Sequence, residues 1–475
     1  MARFIGRQAE LNRLIEFTDK KTASFIVVKG RRRIGKSRLI KEFCTSFDKY
    51  YSFIGLAPDK DTTAKHQLDE FSRQFSREFK TSLAYYQDWS DAFWAIGERV
   101  HSGRILILFD EISWMGSQDP TFLAKIKNLW DLKLKDNDRL VFIVCGSASA
   151  WIEKNILSST GFVGRISYTL TLDELPLSDC NKFWPQNISA YEKFKILSIT
   201  GGIPKYLEEI NPKKSAEENI KKLCFTKGGF LVDEFERIFS DIFMRKSDYY
   251  KLLLKVLSEG PKEQAAIAQA LNIKFHGRIS EYLWELELAG FITRNHTWNI
   301  KLGQDSQLSQ YRLSDNYIRF YLKYIERNIS KINRNTFTLK SLTSLPEWHN
   351  MMGLQFENLV LSNRKELFHL LGIHPEDVIC ENPFFQTKTV KTPGCQIDYM
   401  IQTKFGTLYI CEIKFSKNPI DTSVIHEVQK KIDALKFPKG FSCRPVLIHV
   451  NGVTDEVIDN DYFAAIINME KMFAL

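Results

Sequence analysis

The sequence predicts an α/β protein built in series: a doubly wound parallel sheet first, a helical middle, and a second, smaller α/β unit last. Three observations carry this. The runs "SFIVVKG", "RILILFDE" and "RLVFIVCGSAS" are near-continuously apolar and of strand length, as strands buried on both faces must be. Helix-compatible stretches such as "HQLDEFSRQFSREF" lie between them, giving the rhythm of a βαβ domain. Near the other end, "CQIDYMIQ", "LYICEIKF" and "RPVLIHV" repeat the strand pattern around a further helix.

Taken in order, residues 1–175 form the first domain and 176–246 a helical segment with the turn "TGGIPKYL" inside it. Residues 247–315 read as three helices, "SDYYKLLLKVLSEG", "KEQAAIAQALN" and "RISEYLWELELAG", and a hairpin, "FITRNHTWNI" with "QLSQYRLS". That is the order of a winged helix. Residues 316–349 are a connector: an aromatic-rich helix, "DNYIRFYLKYIERN", expected to be core rather than a base-stacking platform, then a polar linker. Residues 350–475 are the second α/β unit.

A chain of 475 residues with 44% hydrophobic and 26% charged residues has the balance of a soluble, multidomain protein. No apolar run approaches a membrane span and the start "MARFIGRQAE" lacks a signal-peptide core, so the expected location is cytoplasmic. The eight cysteines form no CxxC pair, and several fall inside apolar strands. Reduced, buried thiols are expected, not a zinc site or disulfide framework. The formal charge of +9 is compatible with a polyanionic partner and proves none.

"GRRRIGKS" follows a strand and opens a helix, fitting G-x4-G-K-[ST]. Backbone N–H groups of Gly30, Arg31, Arg32, Arg33, Ile34 and Gly35 would wrap phosphate oxygens, helped by the helix N-terminus. Lys36 would reach the β- and γ-phosphates of ATP, and Ser37 would ligate Mg2+. In "RILILFDEISWM", Asp110 at a strand's carboxyl end would hold the same Mg2+, and Glu111 would orient the attacking water. Ser147, just past the next strand, is either a sensor of the γ-phosphate or the cap of the next helix. Arg165 either lends charge to the transferring phosphate, within its own chain or in a neighbouring copy of a homo-oligomer, or is a surface arginine.

Together "FIGRQAEL", "GRRRIGKS", "LFDEISWM", "IVCGSAS", "GRI" and "TGGIPKYL" resemble the archaeal-type ATPase family, signal-transduction P-loop ATPases related to the AAA+ class. The resemblance spans about residues 1–330. It implies that Gly6 and Arg7 lie near the adenine and ribose, and that Gly201–Pro204 belong to a helical lid followed by a winged helix. It also implies that "YRLSDNYIRFYLKYI" leads into a restriction-endonuclease-like α/β domain.

That domain has its own candidate site. If "IDYMIQ" and "LYICEIKF" pair antiparallel through the turn near "KFGT", Glu412 and Lys414 share one strand face and Asp398 lies opposite. Two carboxylates there could hold Mg2+ for phosphodiester cleavage while the lysine stabilises developing charge. The spacing resembles the PD-(D/E)xK nuclease superfamily, although Ile397 stands where the superfamily's proline would be. By that resemblance Glu357, on the preceding helix, adds a metal ligand, and Gln429 and Lys430, on the following one, contact the DNA backbone or the active site. The bland reading is a hairpin whose exposed positions happen to be charged.

The winged helix carries weaker signs of DNA reading. Lys274 and Arg278 are offset by Glu281, Glu285 and Glu287, so a packing role is favoured for the helix from about His276 to Gly290. The combined expectation is an ATP-binding and hydrolysing protein that controls a Mg-dependent, DNA-cutting domain, with ATP and Mg2+ as cofactors. The alternatives are an ATP-gated DNA- or protein-binding regulator that does not cut, and a motor subunit of a larger assembly.

Overall fold

The computed structural model describes residues 4–57, 59, 61–243, 247–272, 277–390 and 393–474. Lys274 and His276 therefore lie outside the described residues. The chain divides into two compact units. The first is 1–173 with short pieces at 238–244 and 288–290, and the second comprises 174–237, 245–287 and 291–475.

The first unit is built on a five-stranded, all-parallel sheet: β1 (Ser24–Gly30), β2 (Lys49–Ile54), β3 (Ile105–Asp110), β4 (Leu140–Gly146) and β5 (Ile166–Leu172), in the order β2-β3-β4-β1-β5. Every residue of β1, β3 and β4 is buried, whereas the edge strands β2 and β5 expose part of theirs. Position in the sheet explains the sequence pattern: helices cover both faces of the centre, so only the edges need polar residues. One face is packed by the helices Ala64–Phe79 and Trp89–Gly97. There Phe71 stacks on Phe53 at 4.7 Å, and Phe53 meets Phe109 edge-on at 5.5 Å. The first of these helices opens with a capping box in which Thr63 and His66 satisfy each other's backbone N–H groups. Because β1, β3 and β4 run in parallel register, their carboxyl ends bring residues 30–37, 110–111 and 147 to one edge of the sheet. That edge is where open α/β sheets bind ligands.

The second unit begins with the short helix Leu177–Cys180, followed by the helices Ala190–Thr200, Pro204–Glu208 and Ala216–Cys224. Three helices, Ser247–Ser258, Gln264–Ala270 and Gly277–Leu288, then lead into an antiparallel hairpin of β6 (Ile292–Asn299) and β7 (Gln304–Leu313). The aromatic helix follows: Tyr317, Phe320, Tyr321 and Tyr324 are all buried, in agreement with the core reading. The helix Trp348–Ser362 precedes a mixed sheet of β8 (Val378–Gln386), β9 (Cys395–Thr403), β10 (Thr407–Lys414), β11 (Ser442–His449) and β12 (Ala465–Asn468). Strands β8, β9 and β10 form an antiparallel meander, while β10, β11 and β12 are parallel. The helix Ser423–Ala434 makes the crossover that parallel pairing of β10 and β11 requires.

The hairpin is bound into this sheet's core. Trp298 meets Phe384 edge-on at 5.1 Å and donates its indole N–H to Gln402 Oε1 at 2.7 Å. Thr297 Oγ1 donates to the Phe385 carbonyl at 3.0 Å, and Gln402 Nε2 to that of Ile300 at 2.9 Å. All eight cysteines are free thiols, five of them buried. Among the described residues, no helix is long and apolar enough to cross a membrane.

Candidate functional site

The first site follows from β1. Gly30 has φ +147°, and a Cβ on it would lie 2.5 Å from the Leu172 carbonyl oxygen, so only glycine lets the chain leave β1 this close to β5. Gly35, at φ +94°, starts the helix Lys36–Phe43. Lys36 is buried and its ammonium donates to the carbonyls of Gly30 (2.9 Å) and Arg31 (3.0 Å), curling the side chain over its own loop. Ile34 and Arg31 are buried, and Arg32 and Arg33 are half-exposed. The loop is clipped from outside by Arg7, which donates to the Ile34 carbonyl at 3.3 Å and to that of Asp173, and pairs with Glu10 at 2.9 Å. Gly6 and Arg7 both take left-handed backbone angles, φ 71° and 63°. Arg7 is thus placed as a brace of the loop.

Ser37 Oγ donates to Asp110 Oδ2 at 2.6 Å, so the two groups expected to share Mg2+ are in contact. Asp110 Oδ1 accepts the N–H of Glu111 at 2.9 Å. Glu111 sits at φ 50°, a left-handed angle that a non-glycine residue adopts at a cost of roughly 1 kcal/mol or more. Its carboxylate then accepts from Ser147, through N–H at 3.2 Å and Oγ at 3.0 Å. Ser147 is therefore a partner of Glu111. An exposed hydroxyl beside a mostly buried carboxylate is an all-oxygen donor set that suits Mg2+, which keeps several waters and few protein ligands. Arg165 is held elsewhere: its guanidinium makes a two-pronged ion pair with Asp131, at 2.9 and 2.8 Å, holding that carboxyl below its usual range.

The second site lies on β9 and β10. Their register pairs Cys411 with Tyr399, so Glu412 and Asp398 come next to each other at the end of the paired stretch. Asp398 Oδ2 accepts the N–H of Ile413 at 2.9 Å. The cation between the carboxylates is Lys431, a residue that the strand spacing does not nominate. Its ammonium lies 2.5 Å from Glu412 Oε2 and 3.4 Å from Asp398 Oδ1. Lys414 is 4.0 Å from Glu412 Oε1 and bonds to Glu427. Gln429 is exposed and tied to Asp433 (2.7 Å) and Tyr462 (2.9 Å), and Lys430 is exposed.

Glu357, on the helix Trp348–Ser362, faces the buried Arg312 at 3.8 Å. Burial, then the neighbouring Asp398 charge, push both Glu357 and Glu412 upward despite their cationic partners. Burial pulls Arg312 down to about 10. Among the described residues no group of three or more His, Cys, Asp or Glu side chains is arranged to hold a metal. The expected trio of Glu357, Asp398 and Glu412 is instead divided between two cations, Arg312 and Lys431. Helix periodicity was the signal for Lys431: Val424 and Val428 are the buried positions of its helix, and 431 lies three residues further along the same face.

Residues 4–210 match the family model for an ATPase domain predominantly from Archaea. Over those residues the chain is similar to ATPase domains of that type. An uncharacterised protein of Methanocaldococcus jannaschii is 27% identical over 365 residues, which is 75% of this chain and 76% of that one. Among solved structures, the Walker-type ATPase of Pyrococcus abyssi aligns at 16% identity with a TM-score of 0.48, covering 67% of this chain and 96% of that one. The ORC2 protein of Aeropyrum pernix, in its ADPNP–ADP complexes, aligns at 12% identity and 0.39, covering 69% and 96%. Residues 211–475 lie outside the family match.

Proposed function

We propose that the first unit binds and hydrolyses ATP with Mg2+, and that its nucleotide state controls a DNA-directed, nuclease-like site on β9 and β10. The observation that carries the first half is the contact of Ser37 with Asp110 at the edge where Lys36 caps its own loop. Phosphate would replace the Gly30 and Arg31 carbonyls as acceptor for Lys36, and freed loop N–H groups would take the remaining oxygens. Ser37 and Asp110 would hold Mg2+, which supplies charge neutralisation on the phosphates. Glu111 would orient the attacking water from a carboxylate fixed by Ser147. Arg165, tied to Asp131, is given no part in this chemistry.

For the second half, Asp398 and Glu412 are assigned as the oxygen ligands of a divalent ion, which would lower the pKa of bound water. Lys414, Glu357 and a winged helix over 247–315 complete that reading as a second cation, an outer carboxylate and a relay. Support comes from the adjacency of two carboxylates within a mixed sheet, with helices before and after. Lys36→Ala should abolish ATP binding while the circular-dichroism spectrum is unchanged. Nicking of plasmid DNA in Mg2+ or Mn2+ should occur with wild type and vanish in Asp398→Asn and Glu412→Gln. Nicking retained in both would remove the cutting assignment. One observation favours the second reading, a regulator that grips DNA without cutting it: a lysine ammonium already bridges the two carboxylates.

A further inference from the structure

We infer that the helix Ala216–Cys224 and the segment 327–340 together form a basic surface that takes the phosphate backbone of duplex DNA. The inference rests on the proposed function only in its choice of DNA as partner. It uses neither the nucleotide loop nor the strands β9 and β10.

Charge is concentrated on these two stretches. Residues 211–227 carry five lysines and two glutamates, and residues 327–340 carry four cations and no acid. The local excess of +7 stands in a chain whose total is +9, so little net charge is left for the rest. The acids are already engaged. Glu217 pairs with Lys221 at 2.8 Å, and Glu218 accepts from the N–H and hydroxyl of Ser215 at 3.0 and 2.9 Å. Glu326, at the margin, pairs with Lys255 at 3.3 Å. Lys213, Lys222, Lys227, Lys331, Arg334 and Lys340 are exposed, and among the described residues none of them pairs with a carboxylate. Helix carboxyl ends account for Lys221, Lys222 and Lys331, whose charge suits the local dipole. They do not account for Lys213, Lys227 or Lys340.

The stretches lie side by side. Phe225 stacks on Phe337 at 5.1 Å, and Lys221 donates to the Lys340 carbonyl at 3.0 Å. Asn335, at φ 57°, turns the chain so that the N–H groups of Thr336 and Phe337 both reach the Lys331 carbonyl, at 2.9 and 3.2 Å. That turn keeps Lys331 and Arg334 close to the ring pair, while Lys340 stays against the helix. The helical rise from Glu217 to Phe225 makes the strip about 12 Å long. Over that length a duplex presents roughly seven phosphates. No large apolar side chain of either stretch is exposed. The surface therefore has neither the anchors of a membrane-binding helix nor a platform for stacking the bases of a single strand. Its cations, with the exposed Asn333, Thr336 and Thr338, suit phosphate oxygens, contacts that carry no sequence preference.

The test is fluorescence anisotropy of a short labelled DNA duplex with full-length protein in EDTA, over a series of salt concentrations. Lys222→Gln, Lys227→Gln, Arg334→Gln and Lys340→Gln together should weaken binding at least tenfold at about 0.1 M salt. They should also flatten the slope of log affinity against log salt by about 3–4. Lys227→Gln with Lys340→Gln serves if the four together do not fold, with about half that change in slope. Exchanging lysine for arginine, and Arg334→Lys, at the same four positions should keep wild-type affinity and slope. Lys21→Gln, Lys80→Gln, Lys135→Gln and Lys154→Gln remove the same charge from exposed positions elsewhere. That set should leave the affinity within about twofold and the slope unchanged. Equal weakening by both glutamine sets, no binding by wild type, or tighter binding of an RNA duplex of the same length overturns the inference. Binding that depends on the four cations in a protein that never nicks plasmid supports it, while removing the cutting assignment from β9 and β10.

Discussion

A buried lysine that donates to two carbonyls of its own loop has neutral acceptors to exchange: under the proposed function Lys36 would give them up to a phosphate, whose charge-assisted bond is the stronger. The same economy of contacts applies to Glu111, whose position depends on Ser147. Ser147→Ala leaves the backbone N–H donor and removes the hydroxyl. It should lower the ATP turnover number by roughly 10- to 100-fold and change ATP affinity by less than about twofold, a split that steady-state kinetics resolves. His449 offers a pH prediction. It is buried, its Nδ1 accepts the Gly452 N–H at 3.0 Å, and burial pulls its pKa down to about 4. A depressed histidine favours folding above its unfolded value, near 6.5, and that contribution fades as pH falls toward 4. Wild type should lose about 2 kcal/mol more than His449→Gln between pH 7 and 4, measured by urea unfolding. At this scale the sequence was most legible where function is local. The residues of "GRRRIGKS" meet Asp110 because strand and loop spacing alone bring them there. Lys431 escaped because its role depends on how a helix faces a sheet, and strand periodicity pointed to Lys414 instead.

Continuous apolar runs identify β1, β3 and β4 because these strands have no solvent face, and the long helix over 64–79 declares itself by its period. The hairpin of β6 and β7 was visible as a hairpin, but its second attachment was not. Trp298 looks like any aromatic residue in a strand, yet it fills the C-terminal core beside Phe384. Trp298→Ala should therefore destabilise the second unit by roughly 3–5 kcal/mol through cavity formation and an orphaned Gln402 acceptor. Thermal unfolding followed at β8 and β9 would read the effect. A melting temperature unchanged there would mean that the hairpin folds apart from the sheet.

Across the second unit as a whole, a buried polar network joins segments far apart in sequence. Gln355 donates to the carbonyls of Ser198 at 2.6 Å and Asn316 at 2.7 Å and accepts from Arg319 at 2.7 Å. Asn358, one turn on, donates to the Leu313 carbonyl at 3.0 Å and to Asn316 Oδ1 at 2.9 Å. The helix that carries Glu357 is thereby fixed to the helix Ala190–Thr200, which precedes the "GGIP" turn. Nothing in the sequence foretold this, since a glutamine in an apolar helix reads equally as surface. Gln355→Ala leaves two carbonyls and a guanidinium short of partners and should cost about 3 kcal/mol or more in urea unfolding. Under the proposed function, this network would be the route by which a nucleotide-dependent displacement of the helix Ala190–Thr200 reaches β9 and β10. Hydrogen exchange at Cys395–Thr403, Thr407–Lys414 and Ser423–Ala434, with and without ATP and Mg2+, tests that claim directly. Exchange in these segments should change in wild type and stay constant in Lys36→Ala. Identical exchange in wild type with and without nucleotide, while the loop 30–37 becomes protected, would contradict it.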